Sequence, residues 1–216
     1  MKLIRKILDF IPGYARRPLL FVLAFNMFAY CLPSILKIAP RFDMTLPLDR
    51  IIPPIPVFTY IYVISYVFWA LNYILICRSG KEMCRRFVTA EVMGKAVCFL
   101  MFMLVPATFA RPAADTLSGP GAWLLKIVYA MDEPTRLIPS IHCYASYMCV
   151  RPLASKEFRS FSPAYKLFSL VLTILICLST LFTRQHVIVD VFAGVLLGEI
   201  VWVISGLIFR NRQKEV

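Results

Sequence analysis

Two histidines and one aspartate have a spacing that suits nucleophilic or acid–base chemistry. His142 and His186 are the only histidines among the 216 residues. Asp190 follows His186 by four residues, so a helix would place their two side chains on one face. The carboxylate could accept a hydrogen bond from one imidazole nitrogen and leave the other nitrogen free to attack an electrophile. Taken alone, such a pair serves a helix cap or a packing contact equally well.

His142 belongs to a second motif, which reads Pro139-Ser140-Ile141-His142. A proline and a serine in this order favour a helix start, with Ser140 as the cap. Free backbone amides at such a start attract an anion such as phosphate. His142 could then donate a proton to a leaving oxygen, although a plain helix start at the membrane interface explains the same residues equally well.

Long apolar runs must position these residues. Sixty per cent of the residues are hydrophobic, and runs of about 20 apolar residues are long enough to cross a bilayer. The sequence therefore predicts an all-α fold, a bundle of six transmembrane helices whose N- and C-termini both lie in the cytoplasm. The predicted spans cover about residues 18–38, 55–77, 88–109, 140–154, 164–182 and 186–209.

The distribution of positive charge supports this topology. The net charge is +12, but the basic residues form short clusters between apolar runs, so no nucleic-acid partner is expected. With the N-terminus inside, sixteen Lys and Arg residues fall on the cytoplasmic side and seven on the opposite side. The clusters could attract anionic membrane lipids. This orientation predicts a protein of the cell membrane with both histidines at its extracytoplasmic face.

The remaining segments flank or interrupt a single transmembrane domain at residues 18–210. Residues 1–17 predict an amphipathic helix at the membrane interface, and residues 211–216 predict a cytoplasmic tail. In the outer loop 110–139, the stretch 121–131 is too short to span and predicts a helix at the headgroup level. The seven cysteines have no metal-ligand spacing and are expected to be buried apolar side chains.

Three motifs at the ends of the predicted spans resemble those of the type-2 phosphatidic acid phosphatase family. In chain order they are Arg111-Pro112, Pro139-Ser140-x-His142 and His186-x-x-x-Asp190. These enzymes are also called lipid phosphate phosphatases, and the vanadium haloperoxidases are related to them. The resemblance covers about residues 90–205, which would be the catalytic half of the domain.

The resemblance implies a role for each matching residue. His186 would be the nucleophile and form a phosphohistidine, Asp190 would orient it, and His142 would protonate the leaving group. Members of the family work without a metal, so the resemblance implies neither a metal nor another cofactor. Arginines and helix-end amides would then have to stabilise the charge of the transition state.

Phosphate oxygens would be bound by Arg111 and by the helix start at Ser140 and Ile141. At three places the sequence departs from the family. Leu104 stands where the family has a lysine, seven residues before Arg111, and Ile141 stands where it usually has a glycine. Thr180 replaces the arginine of a Ser-Arg pair that precedes the second histidine. Two phosphate-binding cations are therefore missing from their usual places.

Two arginines are candidates to replace these cations. Arg184 stands two residues before His186, and Arg136 stands three residues before Pro139. Arg184 could instead anchor the chain among lipid headgroups, and Arg136 could be a plain loop residue. The altered motifs resemble a divergent branch of the superfamily, nearer to membrane phosphotransferases of the inositol phosphorylceramide synthase type.

The expected function is hydrolysis of a lipid phosphate or diphosphate, with phosphatidic acid or a polyprenyl diphosphate as the substrate. Transfer of the phosphoryl group to an alcohol would use the same residues and is the first alternative. A transporter with a degenerate site is the second, because Lys95 and Glu199 lie inside predicted spans. A buried ion pair or snorkelling to the interface explains these two charges more simply. The oligomeric state stays open.

Overall fold

The computed structural model describes residues 10–212 of the chain. Most of the predicted interfacial helix at residues 1–17, and most of the predicted tail at residues 211–216, lie outside the described part. From Gly13 onward the chain belongs to the first long helix, which begins directly after Pro12.

Within the described residues the fold is helical apart from one pair of two-residue strands, so the all-α prediction is confirmed. The α-helices are α1 (Gly13–Ile35), α2 (Pro47–Ile51), α3 (Thr59–Arg78), α4 (Lys81–Leu104), α5 (Ala122–Met131), α6 (Ile141–Val150), α7 (Pro163–Phe182) and α8 (Ile188–Arg212). Short 3₁₀ turns lie at Pro56–Phe58, Ala114–Thr116, Arg151–Ala154 and Lys156–Phe158. The strands β1 (Phe42–Asp43) and β2 (Ala107–Thr108) pair in parallel.

Five described helices are long and apolar enough to cross a membrane, namely α1, α3, α4, α7 and α8. The segment predicted as a further span, residues 140–154, is α6 followed by a 3₁₀ turn. Pro152 has no amide hydrogen and cannot continue an α-helix. Together the two pieces are about 23 Å long, whereas the hydrocarbon core of a bilayer is about 30 Å thick. Helix length therefore supports five spans and does not confirm six.

Helix α6 is the buried centre of the bundle. Eight of its ten residues are buried, and it packs against α3, α4, α7 and α8. Glycines permit this close approach, as is typical of helix packing in membranes. Gly194 of α8 lies against the backbone of Ser140 and Tyr144, and Gly94 of α4 lies against the Tyr144 ring. Protein therefore surrounds α6 on several sides, which lets a short helix sit inside the bundle.

Hydrogen bonds connect helix ends and loops at each of the two ends of the bundle. At one end, the Tyr14 hydroxyl donates to the carbonyl of Cys77, which joins the start of α1 to the end of α3. At the other end, the amide of Arg41 donates to the carbonyl of Pro106 beside the β1–β2 pair. The loop before α3 also bonds to the start of α8. The starts of α6 and α8 therefore lie at this second end.

Helix α5 lies in the long loop of this second end, where the sequence predicts an interfacial helix. Leu125 is fully buried, whereas Trp123 and Met131 are 62% and 80% exposed. The hydroxyl of Tyr129 donates to the carbonyl of Thr183 at 2.9 Å and ties the helix to the segment before α8. One face of α5 thus packs on the bundle, and its apolar opposite face is left uncovered.

Two charges inside predicted spans have partners within the bundle. The carboxylate of Glu199 lies 2.6 Å from Nε of Arg151 and accepts a hydrogen bond from the Tyr147 hydroxyl. The ammonium of Lys95 is buried and lies 4.7 Å from the centre of the Tyr144 ring. Glu199 therefore forms an ion pair with Arg151, but the pair is not buried, since the two side chains are 31% (Arg151) and 38% (Glu199) exposed. Lys95 is stabilised by contact with an aromatic face.

We expect Gly194→Ala to loosen the junction between α6 and α8. A Cβ atom at residue 194 would lie 2.5 Å from the carbonyl oxygen of Ser140, and this backbone atom cannot rotate away. Overpacking of this kind costs about 1–3 kcal/mol. The measurement is the melting temperature of the purified protein in detergent, with Gly13→Ala as the control, because nothing lies within 4 Å of that added atom. Equal melting temperatures for the two variants would contradict the close contact.

Candidate active site

His186 lies in the turn that leads into α8. Its Nδ1 is 3.2 Å from Oδ2 of Asp190, and the same oxygen accepts a hydrogen bond from the amide of Val187 at 3.1 Å. Asp190 is fully buried. When Nδ1 donates to this carboxylate, the neutral imidazole keeps Nε2 as its basic nitrogen. The spacing His-x-x-x-Asp thus produces, within one helical turn, an oriented histidine with one nitrogen available for chemistry.

His142 is the second residue of α6, and its ring lies between aromatic side chains of α3. The ring stacks on Tyr62, with 4.1 Å between the ring centres, and meets the edge of Trp69 at 4.9 Å. The indole of Trp69 donates to the hydroxyl of Ser146 at 2.9 Å and so joins α3 to α6. The hydroxyl of Ser140 caps the helix, as the sequence predicts. These contacts hold the imidazole in one orientation.

The two histidines come close together because the starts of α6 and α8 are bonded to each other. The ring centres of His142 and His186 are 6.3 Å apart. The amide of Ser140 donates to the carbonyl of Asp190 at 3.1 Å, and Gly194 lets the two backbones touch. Both motifs therefore meet through main-chain contacts, which depend less on side-chain rotation.

Arg111 reaches the same place from the loop after α4. Its guanidinium donates to the backbone carbonyl of Asp132 and, at 2.9 Å, to the side-chain oxygen of Gln185. It also lies 4.9 Å from the centre of the Tyr129 ring. Burial lowers the pKa of Arg111, because the charged form loses water, while Asp132 favours that form. A guanidinium retains its proton under such a shift, so Arg111 is a half-buried cation that lines the same cavity as His186.

Arg136 is a second buried cation on the opposite side of Asp132. Its Nη2 lies 2.7 Å from the Asp132 carboxylate, and its guanidinium also donates to the hydroxyl of Ser34. The centre of the Tyr30 ring lies 4.6 Å away. Burial opposes the charge, but Tyr30 and Asp132 outweigh this effect and raise the pKa of Arg136. One aspartate therefore connects both arginines, through its carbonyl and through its side chain.

One cavity of about 20 Å³, room for one water molecule, collects these groups. Both histidines and both arginines line it, and the wall also contains Tyr30, Asp132, Glu133, Ile141 and Gln185. In the described part of the chain, buried polar atoms without a hydrogen-bond partner include Nε2 of His142, Nε2 of Gln185 and Nε of each of these arginines. Buried polar groups ordinarily have partners. A polar, anionic ligand would supply them here.

Arg184, the other candidate cation, does not line this cavity. Its backbone is left-handed, with φ of 52°, and its guanidinium donates to the carbonyls of Asp49, Ile52 and Ala110. The predicted contact of Arg184 with phosphate therefore has no support in this geometry, whereas Arg136 faces the cavity.

The side chains at the two positions where the family carries its other cations do not line the cavity either. Leu104 is 71% exposed at the end of α4. Thr180 is buried in α7, where its hydroxyl donates to the carbonyl of Cys177 at 2.7 Å. Leu104 and Thr180, which stand at the positions of the missing cations, are therefore a surface residue and a packing residue, respectively.

Sequence reasoning missed several polar and aromatic residues of the site. Asp132 stands four residues before Arg136, the spacing of a helical ion pair, and this signal could have identified it. Gln185 directly precedes His186 and carried no pattern of its own. Tyr30 and Tyr62 lie within long apolar runs, where an aromatic residue is ordinarily read as packing.

Comparison with known proteins places the chain in a family. No curated protein and no solved structure matches it. A sequence model described as the PAP2 superfamily matches residues 19–214. That range spans most of the chain and includes both histidines, Asp190 and all three candidate arginines. The match agrees with the family that the three motifs resemble, and the chain belongs to the PAP2 superfamily.

Proposed function

We propose that this protein is a membrane-embedded phosphatase that hydrolyses the phosphate or diphosphate ester of a lipid, with His186 as the nucleophile. The observation that carries the proposal is the single cavity lined by two histidines and two arginines. Membership of the PAP2 superfamily supports the same reaction class. The five long apolar helices support a lipid substrate, because they keep the protein within a bilayer.

The proposed reaction has two steps. In the first, Nε2 of His186 attacks the terminal phosphorus, and the bond from that phosphorus to the leaving oxygen breaks. The leaving oxygen belongs to the lipid alcohol in a monophosphate and to the lipid monophosphate in a diphosphate, and His142 in its protonated form gives its proton to it. In the second, neutral His142 takes a proton from water as the water oxygen attacks the phosphohistidine. The bond from phosphorus to nitrogen then breaks, and phosphate and the original imidazole are released. Asp190 keeps Nδ1 of His186 in the donor state throughout.

The negative charge of the transferring group requires donors that are already oriented. Arg111 and Arg136 both face the cavity. The first amides of α6, those of Ile141 and His142, have no acceptor within their own helix and suit a phosphate oxygen. Among residues 10–212, no three His, Cys, Asp or Glu side chains are grouped as metal ligands. We assign the stabilising charge to the arginines and the amides, because both guanidinium groups face the cavity and the amides lack acceptors within their helix.

The size of the cavity indicates that substrate must displace internal partners. A volume of about 20 Å³ holds a water molecule but no phosphate group. The groups that accept hydrogen bonds from the arginines include the Asp132 carbonyl, the Asp132 carboxylate and the Gln185 amide oxygen. All three are oxygen acceptors, as phosphate oxygens are. Phosphate would therefore replace them on Arg111 and Arg136, and α5, which directly precedes Asp132, would shift with that residue.

The loop charges support a proposed orientation with the site at the extracytoplasmic face of the cell membrane. In this topology the segment from α6 to the start of α7 crosses the bundle and counts as a sixth, protein-enclosed span. Helix α5 would lie at the headgroup level beside the site, with Trp123 and Met131 towards lipid. A lipid phosphate could then approach the cavity from the membrane plane.

We expect His186→Ala to abolish phosphate release from lipid phosphates. The variant lacks the nucleophile, and loss of a nucleophile in a covalent mechanism lowers kcat by several orders of magnitude, on the order of 10⁴-fold or more. The assay is release of inorganic phosphate from phosphatidic acid and from a polyprenyl diphosphate, by purified protein in detergent with a metal chelator present. Brief reaction of labelled substrate with the wild-type protein should also label His186.

Three outcomes of this assay decide between the alternatives. Undiminished release by His186→Ala would overturn the proposed mechanism. Turnover that needs an added lipid alcohol and yields no free phosphate would identify a phosphotransferase. A wild-type protein without turnover on any lipid phosphate or acceptor would refute the enzyme hypothesis altogether.

We expect Arg111→Ala to weaken phosphate binding and turnover more than Lys126→Ala. Arg111 faces the cavity, whereas Lys126 is an exposed residue of α5 at the same end of the bundle. Removal of one oriented donor to a developing charge costs about 10²–10³-fold in kcat, while loss of the exposed lysine should change kcat by less than about twofold. Steady-state kinetics on one lipid phosphate measure both variants. Similar losses for the two would contradict a specific role for Arg111.

We expect green fluorescent protein to fluoresce when it is fused to either end of the chain. When the fusions are expressed in the inner membrane of a bacterium, that reporter folds only on the cytoplasmic side, and six spans return the chain to the side on which it began. Five spans would place the two ends on opposite sides and leave one of the two fusions dark. The matched control is a reporter placed in the loop between α5 and α6, which should be dark in the proposed orientation.

A further inference from the structure

A buried aspartate outside the three motifs contacts the start of α8. Asp49 lies in the short helix α2 and is only 1% exposed. Its Oδ1 accepts a hydrogen bond from the amide of Ile188 at 2.9 Å, and its Oδ2 accepts one from the amide of Leu46 at 2.8 Å. A loop remote in sequence thus supplies a carboxylate to the first amide of the helix that follows His186.

Asp49 also contacts the chain on the N-terminal side of His186. The guanidinium of Arg184 donates to the backbone carbonyl of Asp49, and also contacts the carbonyls of Ile52 and Ala110 at 3.4 Å. Arg184 holds a left-handed backbone conformation, with φ of 52°, which is uncommon for a residue with a side chain. Residues 184 and 188 are therefore both attached to Asp49, and His186 is midway between them.

We propose that Asp49 and Arg184 form a clasp, defined by these contacts of residues 184 and 188 with Asp49, that positions His186 for attack. The proposal rests on the proposed function, since it concerns the orientation of its nucleophile. Asp190 fixes the rotation of the imidazole ring, whereas the clasp fixes the backbone that carries it. Asp49 is thus a positioning residue that touches neither the substrate nor the reacting atoms.

The electrostatics of a helix start favour a carboxylate in this place. The first amides of a helix carry partial positive charge and lack acceptors within the helix. At the start of α8, the carboxylate of Asp190 accepts a hydrogen bond from the amide of Val187, and the carboxylate of Asp49 accepts one from the amide of Ile188. These amides are therefore occupied by carboxylates, and the phosphate must use other donors. The clasp also explains why Arg184, although close to His186 in sequence, does not face the cavity.

The test compares Asp49→Ala and Asp49→Asn with Asp43→Asn in the full-length protein. Asp43 lies in strand β1, six residues before Asp49, but it is exposed, and its carboxylate accepts a local bond from the amide of Thr45. We expect Asp49→Ala to lower kcat about 10²-fold, because small misplacements of a reacting group have effects of this size, with KM changed less than threefold. Asp49→Asn keeps one acceptor oxygen and should recover part of this loss. Asp43→Asn should match the wild-type protein.

A second measurement is independent of turnover. Amide hydrogen exchange, followed by mass spectrometry, should speed up in the peptide over residues 184–190 of Asp49→Asn, while exchange in residues 141–150 stays unchanged. Wild-type kcat and wild-type exchange in the Asp49 variants would overturn the clasp. A kcat loss shared equally by Asp43→Asn would overturn it as well.

The outcomes separate the clasp from the proposed function. If His186→Ala retains activity, the proposed mechanism fails, and the exchange data still report whether Asp49 holds residues 184–190. If His186→Ala is inactive while Asp49→Ala turns over like the wild-type protein, the mechanism stands and the clasp is wrong. Arg184→Gly provides a second variant, because glycine adopts the left-handed backbone without strain while the side chain that carries the guanidinium is removed. It should lower kcat in the same direction as Asp49→Ala.

Discussion

The start of α6 and the first turns of α8 touch through their backbones, and the closeness of the two histidines in the candidate site follows from that contact. The amide of Ser140 bonds to the carbonyl of Asp190, and Gly194 removes the side chain that would separate the two helices. Both helix starts then lie at one end of the bundle, with a histidine on each. Such a contact suits a bilayer, where close backbone packing takes over much of the role of the hydrophobic effect.

The electrostatics of the site follow from its position at the end of an apolar bundle. A guanidinium in such surroundings needs a compensating acceptor, since an unpaired buried charge is costly. Asp132 meets this need for both Arg111 and Arg136. A phosphate that entered would exchange one set of oxygen acceptors for another and leave the arginines compensated throughout. In the proposed mechanism, the resting ion pair thus keeps the phosphate site charged and stable when substrate is absent.

The relation between sequence and structure differs from residue to residue. His186 and Asp190 could be paired from their spacing alone, because four residues make about one helical turn and both groups belong to one element. Ser140 could be identified as a cap for the same local reason. Arg184 and Arg136 were equivalent candidates in the sequence, since each stands close to a histidine motif. Only their surroundings separate them: loop carbonyls surround the Arg184 guanidinium, whereas Arg136 faces the cavity.

By itself the sequence determined the helical class, the family and the local motifs, because apolar periodicity, caps and one-turn spacings are properties of neighbouring residues. Tertiary structure decided that residues 140–154 form a short enclosed helix, since protein neighbours and not length make that segment possible. It also decided which residues contact the starts of α6 and α8. Asp49 stands 139 residues before Ile188, and Tyr62 stands 80 residues before His142, the ring on which it stacks. Contacts over such distances depend on how helices pack, which no local pattern encodes.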